Sequence, residues 1–214
     1  MTKSDMRYVA LVADAAGSRT LAPARRASLQ ADLRGATQSL NRRWRTALAA
    51  RFALTRGDEL EGLLVTPGPV WDIVNAIRSA FPGVDWIVAC GAGTLSTALA
   101  PTAPEVDGAC FHAARAALDA AKRDRRVLAF RGFARDAELN GLAGYYSALY
   151  WTWTERQRHL AFALRCPEPG LNRPDAPGGR APEAQSARSH MRRRMAWPLV
   201  VEGDRILRTL LEDS

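Results

Sequence analysis

The chain has 214 residues and an apolar fraction of 47%, which suffices for one large domain or one domain with a small appendage. No apolar run is long enough to cross a bilayer, and the first residues lead into a strand pattern without a secretory signal, so we expect a cytoplasmic protein with no membrane partner. The three cysteines and three histidines lack the spacing of a disulfide framework or a zinc site.

The net charge of +8 leaves two explanations open. A basic protein can bind nucleic acid through its phosphates. However, nearly all the positive charge is arginine, with lysine only at Lys3 and Lys122, and the chain is rich in alanine. A compositional bias toward alanine and arginine would give the same charge without any partner.

The N-terminal pattern predicts an α+β fold. An apolar run predicts a central strand over 7–14, followed by a helix over 23–50 with a break near Gly35. The elements that follow are predicted in chain order: a hairpin over 52–65, a helix over 69–80, a strand over 84–93, a helix over 108–122 and a strand over 127–130. This β-α-β-β-α-β-α-β order is typical of one antiparallel sheet with helices packed on it.

Three acidic residues are the first candidate site. The hairpin places Asp58 and Glu59 at its tip, and Asp14 ends the first strand. If that strand pairs beside the hairpin, the three carboxylates converge, which is unfavourable unless a cation lies among them. Hard ions such as Mg²⁺ or Mn²⁺ prefer these oxygens. Carboxylates at hairpin tips are often idle, but an Asp that closes a buried strand favours a site.

Two glycine-containing segments are weaker candidates. The turn after Asp14 contains Gly17 and Ser18 and could present N–H groups to phosphates, although a plain strand-to-helix turn explains it equally well. Gly91 and Gly93 predict a place where another backbone or a ligand comes close.

The pattern becomes helical from Asp136 onward. It predicts a linking helix, a helix over 155–165 capped by Thr154, a mobile Pro/Gly-rich loop over 166–182, a basic helix over 183–196 and a last helix over 198–212. We therefore divide the chain into a domain over 1–132 and a helical module over 133–214.

Together, the segments Val12–Arg19 and Arg56–Leu64 resemble the SatD family over most of the chain. More distantly, residues 7–130 resemble the palm domains of class III nucleotide cyclases and of diguanylate cyclases. Those domains share a strand-ending Asp, a Gly-Asp hairpin and a later Gly-x-Gly strand, which residues 91–93 match here. The resemblance implies a ferredoxin-like palm fold that binds a nucleotide.

The palm resemblance also implies roles for individual residues. Asp14 would be the first metal ligand, and Asp58 or Glu59 the second, in the class III and diguanylate patterns respectively. The main-chain amides that would meet the phosphates are those of Ala15, Ala16, Gly17 and Ser18. Class III cyclases complete their sites across a dimer, so the resemblance also allows a homodimer.

The catalytic pattern of the cyclases is only partly present. Class III enzymes carry an Asn and an Arg four residues apart on the helix after the Gly-x-Gly strand, where this chain has His112 and Arg115, three apart. Arg56 occupies the position of the second glycine that diguanylate cyclases place before the acidic hairpin. These departures favour nucleotide binding over turnover.

The C-terminal part resembles the helix-turn-helix that closes SatD-like chains, with residues 184–192 as the recognition helix. The residues that would contact duplex DNA, at base edges or phosphates, are Gln185, Ser186, Arg188, Arg192, Arg193 and Arg194. The loop over 166–182 lies where the first helix of the motif would be. A solvated charged face is the alternative explanation for the arginines.

Three functions follow from these observations. The first is a regulator in which a metal-dependent nucleotide-binding palm is coupled to a DNA-binding module. The second is a nucleotidyl cyclase-type enzyme that acts on nucleoside triphosphates. The third is a degenerate palm that serves as a protein-interaction scaffold.

Overall fold

The computed structural model describes residues 6–16, 23–55, 59–81, 84–166 and 182–214, without the side chains of 23–31 and 182–185. The strands in these ranges are β1 Tyr8–Ala15, β2 Leu48–Thr55, β3 Glu59–Leu64, β4 Trp86–Gly93 and β5 Leu128–Arg131. The α-helices are α1 Pro23–Arg43, α2 Val70–Ala80, α3 Ala109–Arg123, α4 Asp136–Thr152, α5 Glu155–Arg165, α6 Pro182–Arg194 and α7 Trp197–Glu212.

The strands form one sheet in the order β2-β3-β1-β4-β5. The first four pair antiparallel and, with α1 and α2, make the β-α-β-β-α-β arrangement of a ferredoxin-like fold. The predicted α+β class and order of elements are confirmed. The expectation of a purely antiparallel sheet is wrong at one edge, because β5 pairs parallel to β4 and α3 supplies the crossover that parallel neighbours require.

Strand β1 is buried on both faces, as its apolar sequence predicts. Successive side chains of a strand point to opposite sides. One side, with Val9, Leu11 and Ala13, belongs to a core that includes buried residues of α1, α2, α4 and α7. The other side, with Ala10 and Val12, packs against α3. Asp14 shares this second side and therefore lies on the face of the sheet that α3 covers.

The Gly-x-Gly segment of β4 allows α3 to lie directly on the sheet. A Cβ at Gly91 would collide with the backbone of Cys110 and Ala114, and one at Gly93 would lie 2.7 Å from the Cys110 nitrogen. The predicted close approach is therefore that of a helix backbone. These glycines set the height of α3 above the sheet and so the position of every side chain on its inner face.

The predicted helix over 23–50 is wrong at its end. Helix α1 stops at Arg43, and β2 begins at Leu48 and pairs with β3. The ring of Phe52 fills the space beside Gly62, where a Cβ would collide with it. The predicted break near Gly35 is also wrong, because α1 runs through that exposed position without interruption.

The C-terminal helices pack against the sheet domain. Leu139 and Ala143 of α4, and Leu207 and Leu211 of α7, belong to the same core as β1. The domain boundary at 132/133 stays a prediction. Most of the predicted loop over 166–182 lies outside the described residues. Among the helices described, none is long and apolar enough to cross a membrane.

Candidate functional site

Three carboxylates meet where β1 ends and β3 begins, and we call Asp14, Glu59 and Glu61 the acidic corner. In the β1–β3 register, Asp14 lies opposite Glu59, and Val12 lies opposite Glu61. Residues directly opposite share one face with Cβ atoms about 4.5–5.5 Å apart. The structure thus brings Asp14 and Glu59 together on the α3 side. Asp58, the third predicted ligand, lies outside the described residues.

Glu61 is the member of the corner that the sequence did not identify. Its side chain is 2% exposed, and Oε1 lies 3.1 Å from an amino group of Arg115 on α3. Its Oε2 is buried and has no hydrogen-bond partner among the described residues. The available signal was the spacing of Glu59 and Glu61, because residues two apart on a strand share a face.

Lys122 supplies a cation to the corner. It lies in the last turn of α3, and its Nζ is 3.0 Å from Oδ2 of Asp14. A cation is favourable there because a helix C-terminus carries partial negative charge. The sequence marks Lys122 only as the start of a basic run, and nothing local to it points to Asp14. The charge of Asp14 is therefore already partly balanced within the chain.

The environment raises the pKa of Glu59. The largest cause is burial, followed by the charge of Glu61. The Thr55 hydroxyl donates a hydrogen bond to Glu59 Oε1 at 3.2 Å and lowers this pKa. Asp14 raises it further and Lys122 lowers it. Burial and the two neighbouring carboxylates therefore outweigh the hydrogen bond from Thr55 and the charge of Lys122.

A divalent cation fits this corner only in a minimal form. Within the described residues, no three His, Cys, Asp or Glu side chains are arranged to hold a metal ion together. Mg²⁺, however, commonly uses one or two carboxylates and takes its other ligands from water and substrate phosphates. Asp14 and Glu59, side by side, match that mode, and the partnerless Oε2 of Glu61 leaves negative charge behind them.

The predicted phosphate-binding turn is described only in part. Ala15 belongs to β1 and lies opposite Trp86, and the Ala16 amide donates to the Asp85 carbonyl at 2.8 Å. Gly17 and Ser18 lie outside the described residues. Of the four predicted amides, that of Ala16 is thus already used within the protein.

The two candidate catalytic side chains on α3 have different partners. Arg115 contacts the buried Glu61, as described above. His112 has a 68% exposed side chain with Nε2 3.7 Å from Asp107, close to the start of the helix. The structure therefore gives these residues separate contacts and does not bring them to one point.

Helix α6 presents most of the predicted DNA-contacting residues to solvent. Ser186, Arg188 and the three consecutive arginines at 192–194 are all exposed, whereas the side chain of Gln185 is not among those described. We call Arg188, Arg192, Arg193 and Arg194 the basic face of α6. The first helix of the predicted helix-turn-helix would fall largely at 167–181, outside the described residues.

Comparison with known proteins supports one assignment. No curated protein and no solved structure matches the chain. The model of the SatD family matches residues 8–138, which run from β1 into the start of α4 and include the acidic corner, Arg115 and Lys122. Because this match covers more than half of the sequence, the chain belongs to the SatD family.

Proposed function

We propose that this protein is a regulator whose palm domain binds a nucleotide together with Mg²⁺ or Mn²⁺ at the acidic corner, and whose basic helix α6 contacts duplex DNA. The observation that supports the first part is the direct opposition of Asp14 and Glu59 across β1 and β3. Two carboxylates on one face of a sheet are the minimal protein contribution to a site where phosphates complete the coordination.

In this proposal the corner residues hold and orient the ligand. Asp14 and Glu59 accept the cation, and the cation neutralises both the carboxylates and the phosphate oxygens of the nucleotide. Glu61 adds buried negative charge behind them, and Arg115 holds Glu61 in place through the contact at 3.1 Å. Repulsion among the acids then favours cation binding.

Binding is a better-supported function than turnover. An arginine accelerates phosphoryl or nucleotidyl transfer only when its guanidinium is directed at the charge that develops. Arg115 contacts Glu61, and His112 lies near Asp107. Arg115 is thus paired with a carboxylate of the corner itself, and His112 lies beside a carboxylate near the other end of α3. We therefore favour a nucleotide sensor over a cyclase.

Nucleotide binding by the variant Asp14→Asn tests this function. We expect the wild type to bind at least one nucleoside triphosphate with Mg²⁺-dependent affinity, measured by calorimetry with and without chelator. The substitution removes one ligand charge but keeps the side-chain shape, so the Mg²⁺-dependent part of the affinity should fall at least about tenfold, or 1.4 kcal/mol.

The matched control is Asp107→Asn, which removes one charge from a half-exposed carboxylate beside His112 near the other end of α3. It should bind nucleotide as the wild type does. If Asp14→Asn binds as tightly as the wild type while remaining folded, or if no nucleotide binds in the presence of Mg²⁺, the proposed site is wrong.

A further inference from the structure

We propose that Lys122 is a resident counter-cation of the acidic corner, which a divalent cation must displace from Asp14 in order to bind. This inference rests on the proposed function, because it takes the corner as the place where Mg²⁺ or Mn²⁺ binds. It adds that the site has a built-in competitor, which sets the cation concentration at which the corner fills.

The competition follows from geometry. Lys122 Nζ lies 3.0 Å from Oδ2 of Asp14, and Asp14 lies opposite Glu59. A Mg²⁺ ion binds carboxylate oxygens at about 2.1 Å. An ammonium and a divalent ion on the same carboxylate repel each other strongly at such separations. The cation therefore gains full access to Asp14 only when the ammonium withdraws.

The corner remains short of positive charge even with Lys122 in place. It holds three carboxylates against two basic side chains, Lys122 and Arg115. One oxygen of Glu61 is buried without a hydrogen-bond partner among the described residues. The C-terminal end of α3 adds partial negative charge. A divalent ion brings one more charge than the ammonium it replaces.

Lysine suits a displaceable role better than arginine does. Of the 30 basic residues, only Lys3 and Lys122 are lysine, so arginine outnumbers lysine 28 to 2. An ammonium is a compact charge on a flexible stem, whereas a guanidinium binds a carboxylate through two parallel hydrogen bonds. The Lys122 side chain is 39% exposed and can move into solvent without unpacking the core.

Arg115 provides the contrast within the same helix. Its partner, Glu61, is 2% exposed, whereas Asp14 is 17% exposed. Removing the guanidinium would leave the Glu61 carboxylate buried without a counter-charge, which is costly. We therefore assign Arg115 a permanent structural contact and Lys122 the exchangeable one.

The test is a titration of the full chain with Mn²⁺ in the absence of nucleotide. The electron paramagnetic resonance signal of free Mn²⁺ measures how much of the ion is bound. The variants Lys122→Met and Lys122→Gln both remove the competing ammonium, and the second keeps a polar end should the first fold poorly. We expect each to bind Mn²⁺ at least about tenfold more tightly than the wild type. Lys122→Arg, which can form two hydrogen bonds to Asp14, should bind no more tightly than the wild type.

The matched control is Arg123→Met. It removes the same charge from the next residue of α3, whose side chain is 72% exposed and lies 3.5 Å from Asp124. A general effect of net charge would change Mn²⁺ affinity equally in both variants. The proposal requires a clear gain in Lys122→Met and little change in Arg123→Met.

Each outcome separates this inference from the proposed function. Tighter Mn²⁺ binding by Lys122→Met and Lys122→Gln than by the wild type supports the inference. This holds even if the wild type binds no measurable Mn²⁺. Equal binding by the wild type and all variants overturns the competition but leaves the metal site standing. If none of the proteins binds Mn²⁺ without nucleotide, the inference is wrong, whereas the proposed site stands or falls with the Mg²⁺-dependent nucleotide binding of the wild type and Asp14→Asn.

Discussion

Each acidic side chain of the corner has a different environment. Glu61 is buried against Arg115, Asp14 contacts Lys122, and Glu59 accepts a hydrogen bond from the hydroxyl of Thr55. Burial and the charge of Glu61 raise the pKa of Glu59 above its usual value. Folding therefore disfavours the charged form of Glu59 when no divalent cation is bound.

Glu59→Gln should make the protein more stable at neutral pH in the presence of chelator. The raised pKa means that the folded state binds the proton of Glu59 more tightly than the unfolded state. The wild type therefore loses stability as pH rises from about 4.5 through that raised pKa. The glutamine keeps an acceptor for Thr55 and carries no charge, so we expect a gain of at most about 1 kcal/mol, which corresponds to a rise in Tm of no more than ~2–4 °C.

The control is Glu138→Gln, whose effect should have the opposite sign. A hydrogen bond from a backbone N–H and one from Arg135 lower the pKa of Glu138, so its charge stabilises the fold above its usual pKa and this contribution is lost as pH falls. Thermal melts from pH 4 to 8 check both variants. If the Tm of Glu59→Gln and that of the wild type depend on pH in the same way, the charge of Glu59 does not destabilise the folded protein and this prediction is wrong.

At the scale of elements, the site depends on how closely α3 lies over β4. Gly91→Ala adds a Cβ that meets the backbone of Cys110 and Ala114, which cannot move without shifting the helix. We expect a loss of about 1–3 kcal/mol, the usual cost of overpacking. The displaced helix also carries Lys122 and Arg115 away from the corner. Chemical denaturation measures the loss of stability.

Gly35→Ala is the matched control, since it adds the same methyl group to an exposed position of α1 that has no neighbour within 4 Å. Alanine is the better helix former, so this variant should gain roughly 0.5–1 kcal/mol. A Gly91→Ala variant as stable as the wild type would mean that the helix accommodates the extra atom, and the packing argument would then fail.

The same contacts explain what the sequence could and could not predict. Local periodicity and turn residues suffice for the order of elements and for the buried strand that ends in Asp14. They fail at the end of α1, because pairing of Leu48 with Leu64 of β3 outweighs the helical spacing. Glu61 was signalled locally only by its spacing from Glu59, which places both on one face of β3. Lys122 was missed because its role arises where α3 crosses the sheet, and no local pattern contains that crossing.

For the whole molecule, the C-terminal helices α5 and α7 are joined to each other by a buried ion pair that also lies against Trp71 of α2. Arg165 of α5 donates two hydrogen bonds to Asp204 of α7, at 2.7 and 2.8 Å, with side chains 3% and 9% exposed. Its guanidinium also lies over the rings of Trp71 and Tyr146. A buried pair of this kind resists separation because either charge alone would be poorly solvated. Helix α7 is thus fixed to α5, and its Arg208 also contacts Asp72 of α2 at 2.8 Å. Helix α6 directly precedes α7 in the chain.

Basic helix α6 should bind duplex DNA through phosphates, and replacing Arg192, Arg193 and Arg194 by alanine tests this. Each phosphate neutralised adds about 0.9 to the slope of log affinity against log salt. If all three arginines contact phosphates, the variant should therefore bind more weakly, with a slope smaller by up to about 2.7. Fluorescence anisotropy at several salt concentrations measures both quantities.

A second triple variant separates this surface from the net charge of the protein. Alanine at Arg34, Arg42 and Arg45, all exposed on α1 or just after it, removes the same three charges from another part of the molecule. A surface confined to α6 predicts that this variant keeps the salt slope of the wild type, since those arginines neutralise no phosphate. If both triple variants lose the same amount of DNA affinity, the binding depends only on the net charge of the protein. If the wild type does not bind duplex DNA even at low salt, the arginines of α6 are simply a solvated charged face.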